Sequence, residues 1–472
     1  MAIRFSGITL TNIKNVKNGH IEFPHASDKD FNHSDILALY GQNGSGKTAV
    51  VESFGLLSDL YQKGEHYIDE NLIHMGENEA EISYFFVMEK DSSIYEILYK
   101  VGLHKKLFEY DSANETAMDE STLKKKVSLC YEKILFRDIS QNRRPKYKLL
   151  LGWEDIGKDM VSFKPDKIAH AIFQRDFSSG QIHQEKITEA DYFRLIMNLL
   201  TAKEKNYSFF FSKENRVEFE KELDVTSRIL YKALYEYSAN LRVVKNIEAW
   251  MSCSTFFLVL SEFQEKKTKY LNLLESTKVS MEELDSLEKS FERISLILTT
   301  IVPGLIVVTE SVPVTLDSGE KGAAVSILSV REGRRLPLRC ESAGVIKLIS
   351  LLSHFLFFYS DPSALVVVDE LDSGIFEFLL GQIIGILQKH GKGQMLFTSH
   401  NLRALEVLDK NSLVFTTANP ENRFIRLKGI RETNNIRSIY IRSLQVGGQD
   451  EDLAFETNDA MIRNAFGLAE VQ

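Results

Sequence analysis

Residues 41–48 read Gly41-Gln42-Asn43-Gly44-Ser45-Gly46-Lys47-Thr48, which satisfies G-x-x-x-x-G-K-[ST] at every fixed position. The run before it, Ile36-Leu37-Ala38-Leu39-Tyr40, predicts a short buried strand, and Ala49 through Leu57 has helical spacing. In the order strand, glycine loop, helix, backbone N–H groups can turn inward onto phosphate oxygens. The helix N-terminus then adds its partial positive charge. Gly41, Gln42, Asn43, Gly44, Ser45 and Gly46 would form this cradle. Lys47 would reach the outer phosphates, and Thr48 would offer a hydroxyl to Mg²⁺. The constraint on fold is strong: such a loop belongs to an α/β chain with a largely parallel sheet.

The far end of the chain supplies a matching half. Ala364-Leu365-Val366-Val367-Val368 predicts a central strand buried on both faces, and it ends in Asp369-Glu370. Carboxylates at that end of a strand sit where open α/β sheets bind ligands. Asp369 can hold Mg²⁺ and Glu370 can polarise an attacking water. A second apolar run, Gln394 to Thr398, ends in Ser399-His400. A histidine after a strand is ordinarily a surface or capping residue. His400, however, follows the acidic strand at the distance of one helix and one turn, which would face it to a γ-phosphate. Upstream, Ser342 and Gly344 open a helical apolar stretch that runs through Tyr359. Taken alone Ser342 reads as a plain N-cap; in this order of motifs it reads as an anion site.

Composition limits what else the chain can be. Lys plus Arg number 57 and Asp plus Glu 66, a net charge of −9, so the chain is no general polyanion binder. Apolar residues at 44% and charged residues at 26% exclude a wholly disordered or collagen-like chain. Cys130, Cys253 and Cys340 are too few and too scattered for a disulfide framework or a zinc site, and predict free thiols in a reducing cytoplasm. No targeting segment is expected at the N-terminus. The most apolar stretch, Val345 to Val368, is interrupted by Lys347, His354 and Asp361-Pro362. It predicts a buried helix, a turn and a buried strand, with no membrane span.

Between the halves, residues 80–165 alternate as strands do, as in Ile82-Ser83-Tyr84-Phe85-Phe86-Val87, and predict an antiparallel sheet. Two basic clusters there, Lys124 to Lys126 and Arg143 to Lys148, are either a solvated face or a DNA contact. From Glu185 to Thr300 the spacing turns helical. Leu284, Leu287, Phe291, Ile294, Leu298 and Ile301 form one stripe. Leu230, Leu234, Tyr237, Leu241 and Val244 form a second, and Phe256, Leu260, Phe263 and Lys267 a third. These predict a helix bundle or a short coiled-coil hairpin. Phe209-Phe210-Phe211 within this region is either core or a partner patch. The polar C-terminal stretch with Asp450-Glu451-Asp452 predicts a helical segment or a tail.

The order of phosphate loop, Ser-Ala-Gly helix, Asp-Glu strand and Ser-His strand resembles the ABC-type ATPases. More narrowly it resembles the branch shared by chromosome-maintenance (SMC), double-strand-break-repair and RecF-type proteins. In that branch a large insertion splits the ATPase head, and here Asp369 follows Lys47 by 322 residues. The resemblance implies ATP and Mg²⁺ as cofactors, with Lys47, Glu370 and His400 catalytic. Thr48, Asp369 and Gln174 would face the metal, although Gln174 also reads as a plain surface residue. Ser342 and Gly344 would close on ATP held by a second copy, giving a homodimer or higher oligomer of ATP-sandwiched heads. The domain expectation is an N-terminal lobe over 1–180, a helical insertion over 181–300, a C-terminal lobe over 301–430 and a tail over 431–472.

The form Glu341-Ser342-Ala343-Gly344, with the tail Asn434 to Tyr440, further resembles stand-alone ATPase subunits of bacterial phage-defence systems of the PARIS, Septu and AbiL types. That implies a cytoplasmic switch gating an effector protein encoded nearby, such as a nuclease. A DNA-clamping maintenance ATPase and a non-catalytic nucleotide-binding scaffold are the alternatives. Two departures bear on turnover. Leu-Ser-Gly-Gly-Gln is here Glu341-Ser342-Ala343-Gly344-Val345, and Phe376 stands where an aspartate is expected.

Overall fold

The computed structural model describes residues 2–26, 31–61, 68–91, 93–107, 125–141, 145–157, 160–168, 207–245, 257–261, 268–429, 435–455 and 459–470. The central sheet contains β3 (Asp35–Tyr40), β9 (Leu241–Val244), β16 (Leu365–Val368), β17 (Gln394–Thr398), β18 (Leu413–Thr416) and β19 (Phe424–Ile425). Its order is β19-β18-β3-β17-β16-β9, parallel except for the β18–β19 pair. Every residue of β3, β16 and β17 is buried, as expected for strands covered on both faces.

The period of two along these strands divides the interior into two cores. Leu37, Leu39, Leu365, Val367 and Leu396 point into one. Ile36, Ala38, Tyr40, Val366, Val368, Met395 and Phe397 point into the other. The first core also takes α1 (Lys47–Leu60) and a seven-stranded antiparallel sheet ordered β2-β1-β4-β5-β6-β7-β8. Those strands are β1 (Ala2–Ile13), β2 (Val16–Glu22), β4 (Glu79–Lys90), β5 (Ser93–Leu107), β6 (Lys125–Asp138), β7 (Lys148–Gly157) and β8 (Met160–Lys164). Gln394 ties the two sheets together. Its side-chain amide accepts from Phe5 N at 2.8 Å and donates to Phe5 O at 2.7 Å.

Phe209, Phe210 and Phe211 are at most 4% exposed and pack into this first core, which settles their role as core residues. Beside them Glu132 is fully buried, and burial raises its carboxyl above the ordinary range. It accepts hydrogen bonds from Tyr99 Oη, Trp153 Nε1 at 2.7 Å and Phe209 N at 2.9 Å. One carboxylate thus joins β5, β6, β7 and the phenylalanine segment. Glu132→Ala strands three buried donors and is expected to lower stability by about 3 kcal/mol, seen as a fall in the urea midpoint. An unshifted midpoint would show that these bonds contribute nothing net.

The second core is closed by helices α4 (Met281–Ile301), α5 (Ala343–Ser360) and α6 (Glu377–His390). They follow α2 (Lys213–Glu222) and α3 (Val225–Glu236) in the chain. A further sheet pairs β12 (Thr277–Ser280), β13 (Ile306–Thr315), β14 (Lys321–Arg331) and β15 (Arg334–Pro337). The stripe Leu284, Leu287, Phe291, Ile294 and Leu298 is buried along α4, as its spacing predicts. It packs in one core with Val307, Ala323, Val325 and Ile327 of β13 and β14, so the expected coiled-coil seam is instead a helix-on-sheet contact.

Two other stripes are corrected. α3 ends at Glu236, and Leu241 to Val244 form β9, drawn into strand by parallel pairing with β16. Leu260 lies in β10 (Phe257–Ser261), which pairs antiparallel with β11 (Thr268–Asn272). Phe256, Phe263 and Lys267 of that stripe lie outside the described residues, as do Gln174, Lys124, Arg143 and Arg144.

α5 alone among the described helices is long and apolar enough to cross a membrane by composition. It is a core helix, carrying buried Lys347 and His354. Burial, helped by the neighbouring Arg242 cation, pushes His354 down to about 3, so it folds as a neutral ring. Free histidine titrates near 6.5, so below that pH the unfolded chain binds the extra proton and the folded chain does not. Stability supplied above pH 6.5 is therefore lost as pH falls toward 3, by at most about 1.4 kcal/mol per pH unit. His354→Phe is expected to flatten this acid slope in urea midpoints, and an unchanged slope would place the lost stability elsewhere.

The acidic C-terminal run is anchored. Ala418 N donates to Asp452 O at 2.7 Å, and Glu451 accepts from Asn419 and Asn422. Helices α7 (Ile436–Val446) and α8 (Asp459–Glu470) flank it.

Candidate functional site

Because β17 lies between β3 and β16, the phosphate-loop motif, Ser399-His400 and Asp369-Glu370 all emerge from the C-terminal ends of three neighbouring parallel strands. The motifs are scattered through 360 residues of sequence, from Gly41 to His400, yet meet at one sheet edge. Lys47, Asp369, Glu370 and His400 line a single cleft of about 830 Å³ with residues 43–46, Thr48 and Ala49. Lys14, Asn15, Glu70, Asn71, residues 73–76 and Lys105 line the rest of it.

The loop conformation requires its glycines. Gly44 and Gly46 have φ of 74° and 99°, the left-handed region where a Cβ is disfavoured. A Cβ on Gly41 would lie 1.6 Å from Thr416 Oγ1, which is itself hydrogen-bonded to Ser45 Oγ at 2.6 Å. α1 then starts at Lys47 with no side chain capping its first N–H groups and no acid in its first turn. Those donors remain for an anion. Lys47 Nζ donates to Gly41 O at 2.8 Å and Gln42 O at 3.1 Å. Burial lowers the Lys47 ammonium, while Asp369, Glu370 and Asp372 pull it back up.

Asp369 is 5% exposed, and its Oδ1 accepts from Thr398 Oγ1 at 2.6 Å. The same hydroxyl oxygen accepts from Glu370 N at 2.7 Å. Glu370 has φ of 47°, a left-handed conformation unusual for a residue with a Cβ. His400 N donates to Asp372 Oδ2 at 3.1 Å. Partial burial and then the Lys47 charge lower the His400 pKa, favouring a neutral ring.

The donor set fits a phosphate chain held with Mg²⁺. The uncapped helix end and Lys47 suit the phosphates, and Thr48 with Asp369 offers hard oxygens. Among the described residues no group of three His, Cys, Asp or Glu could hold a metal by itself. That suits Mg²⁺, which takes one or two carboxylates plus substrate phosphates.

Ser342 and Gly344 do not line this cleft. Ser342 is exposed and caps α5, accepting from Val345 N at 3.3 Å. A Cβ on Gly344 would lie 2.1 Å from Gly374 O, so a tight backbone approach within the chain already demands this glycine. Sequence reasoning missed Thr398, Thr416 and Lys347. Thr398 and Thr416 are polar residues at the ends of apolar strands, and that position was the available signal.

The family described as "AAA domain, putative AbiEii toxin, Type IV TA system" matches residues 36–406. The chain belongs to this family. Its AAA domain therefore runs from β3 through the Ser399-His400 strand end and includes Lys47, Asp369, Glu370 and His400 of the cleft, while Lys14 and Asn15 of its wall precede it. A search of the curated proteins gives no match. Among solved structures, an Smc head domain with an extended coiled coil, bound to the C-terminal domain of ScpA and derived from Pyrococcus furiosus, is 15% identical. It covers 90% of this chain and 96% of that one, with a TM-score of 0.39. The SMC head domain from Thermotoga maritima is 11% identical, covering 90% and 99%, with a TM-score of 0.34. The Smc head domain with a coiled coil and joint derived from Pyrococcus yayanosii is 11% identical, covering 93% and 99%, at 0.40. Likenesses this slight add nothing to the family assignment.

Proposed function

We propose that this AAA-domain protein binds ATP with Mg²⁺, hydrolyses it slowly, and acts as the switch subunit of a cytoplasmic anti-phage defence complex. The observation that carries the nucleotide reading is the convergence of Lys47, Asp369, Glu370 and His400 on one cleft. Lys47 and the free N–H groups of α1 bind and orient the phosphates. Thr48 and Asp369, with Gln174 as a further candidate, would hold Mg²⁺, which would supply charge neutralisation on the phosphates. Glu370 accepts a proton from the attacking water. The water oxygen bonds to the γ-phosphorus while the bridging oxygen leaves with ADP. Neutral His400 can hydrogen-bond a γ-phosphate oxygen.

Two exposed features support a head-to-head dimer that sandwiches ATP. Ser342 faces solvent at the start of α5, and Phe376, which follows Glu370 by six residues, is 72% exposed. The family description names a toxin of a type IV TA system, which supports a role paired with a second gene product. The partner in this reading is an effector such as a nuclease, gated by ATP turnover. DNA remains a further candidate contact.

Sedimentation velocity tests the dimer. The parent is expected to double in mass with ATP, and Ser342→Arg to stay monomeric while binding ATP within about twofold of the parent. A parent that stays monomeric at saturating ATP would sink the sandwich.

A further inference from the structure

Lys347 lies within the first two turns of α5 and is 4% exposed. Its ammonium donates to Glu370 O at 2.7 Å and to Ser373 O at 2.8 Å. It does not line the nucleotide cleft. A buried cation set on two carbonyls of one turn must be repaid by strong hydrogen bonds, since isolated burial of an ammonium is costly.

The turn it holds is a demanding one. Glu370 occupies left-handed backbone at φ 47°, a conformation that persists only where its surroundings over-determine it. Thr398 Oγ1 fixes the amide side of Glu370 at 2.7 Å, and Lys347 fixes the carbonyl side. The turn is closed within itself by Ser373 N donating to Glu370 O at 3.1 Å and Ile375 N to Asp372 O at 3.1 Å. Gly344, three residues before Lys347 on the same helix, packs its backbone directly against Gly374. Two contacts from the first turns of α5 therefore grip residues 370–374.

We infer that Lys347 is a positioning residue, holding the Glu370 turn in register and coupling it to Ser342 at the N-terminus of α5. A helix transmits displacement along its axis with little loss, so a shift at Ser342 would move the Glu370 backbone with it. Occupation of the exposed end of α5 by a partner's nucleotide would thereby set hydrolysis in the chain's own cleft. The inference rests on the hydrolytic reading of Glu370.

Lys347→Met and Lys347→Arg test it, beside the parent and Lys47→Ala. Turnover, KM for ATP and hydrogen exchange of amides 370–374 are read in each. Lys347→Met is expected to lower kcat about a hundredfold with KM within about twofold, and to speed exchange in the turn. Lys347→Arg, keeping charge and donors, is expected to recover turnover to within about tenfold of the parent. Lys47→Ala is expected to leave exchange in the turn near the parent's. Unchanged kcat or unchanged exchange in Lys347→Met overturns the inference, as does a loss in which KM rises as much as kcat falls. If the Met variant does not fold, Lys347→Gln, which removes the charge but keeps a donor, is read in its place, and parental kcat and exchange there overturn the inference. A parent without any ATP turnover refutes the hydrolytic reading instead, and exchange alone then decides whether Lys347 holds the turn.

Discussion

Lys47→Ala is expected to weaken ATP binding by about 10²- to 10³-fold, the effect of removing a charge-assisted contact from a site that excludes water. The geometry explains the size. The Lys47 side chain is only 6% exposed, and no other lysine or arginine contacts the loop carbonyls of Gly41 and Gln42 among the described residues. Two other lysines line the cleft: Lys14 is paired with Glu52 at 2.6 Å, and Lys105 donates to Ile73 O at 3.2 Å. The Asp369, Glu370 and Asp372 charges beside Lys47 would then repel a polyphosphate unopposed. Titration with a fluorescent ATP analogue checks this, with a urea midpoint to confirm that the fold is intact. Parental affinity in the variant would move the nucleotide to another place.

Glu370→Gln is expected to lower turnover by about 10²- to 10⁴-fold while leaving ATP affinity near the parent's, because an amide cannot take the proton from water. The substitution is nearly isosteric, and Glu370 is held through its backbone by Thr398 and Lys347, so the turn should survive it. Single-turnover hydrolysis separates this from a defect in release. ATP-dependent assembly should outlast that of the parent. Should Glu370→Gln leave both turnover and assembly unchanged, the non-catalytic scaffold is the better reading.

Much of the site was legible because it is local. Gly44 and Gly46 are demanded by left-handed backbone inside one short loop, so the motif carries its own conformation. The strand ends at Asp369 and His400 were legible because largely apolar runs of four and five residues buried on both faces leave few alternatives. The helical spacing of α4 was legible too, though its partner was not: a stripe of apolar residues specifies that something covers it, not whether that is helix or sheet. The third stripe failed for a related reason. Leu260 and its neighbours satisfy a helical period by chance, and pairing with β11 overrode it.

Local sequence by itself determined the phosphate cradle, the parallel α/β character and the two acids at a strand end, since each depends on contacts within a few residues. Only the tertiary structure decided which of these meet. The order β3-β17-β16 brings Lys47 beside Glu370, and no property of either segment encodes that adjacency. It also decided that Gly344 serves a close approach to Gly374, that Thr398 holds both acids, and that Lys347, which interrupts an apolar helix in the sequence, clasps the Glu370 turn. Hydrogen bonds between residues 23 to 29 positions apart depend on how the sheet is assembled, and a one-dimensional pattern carries no record of that.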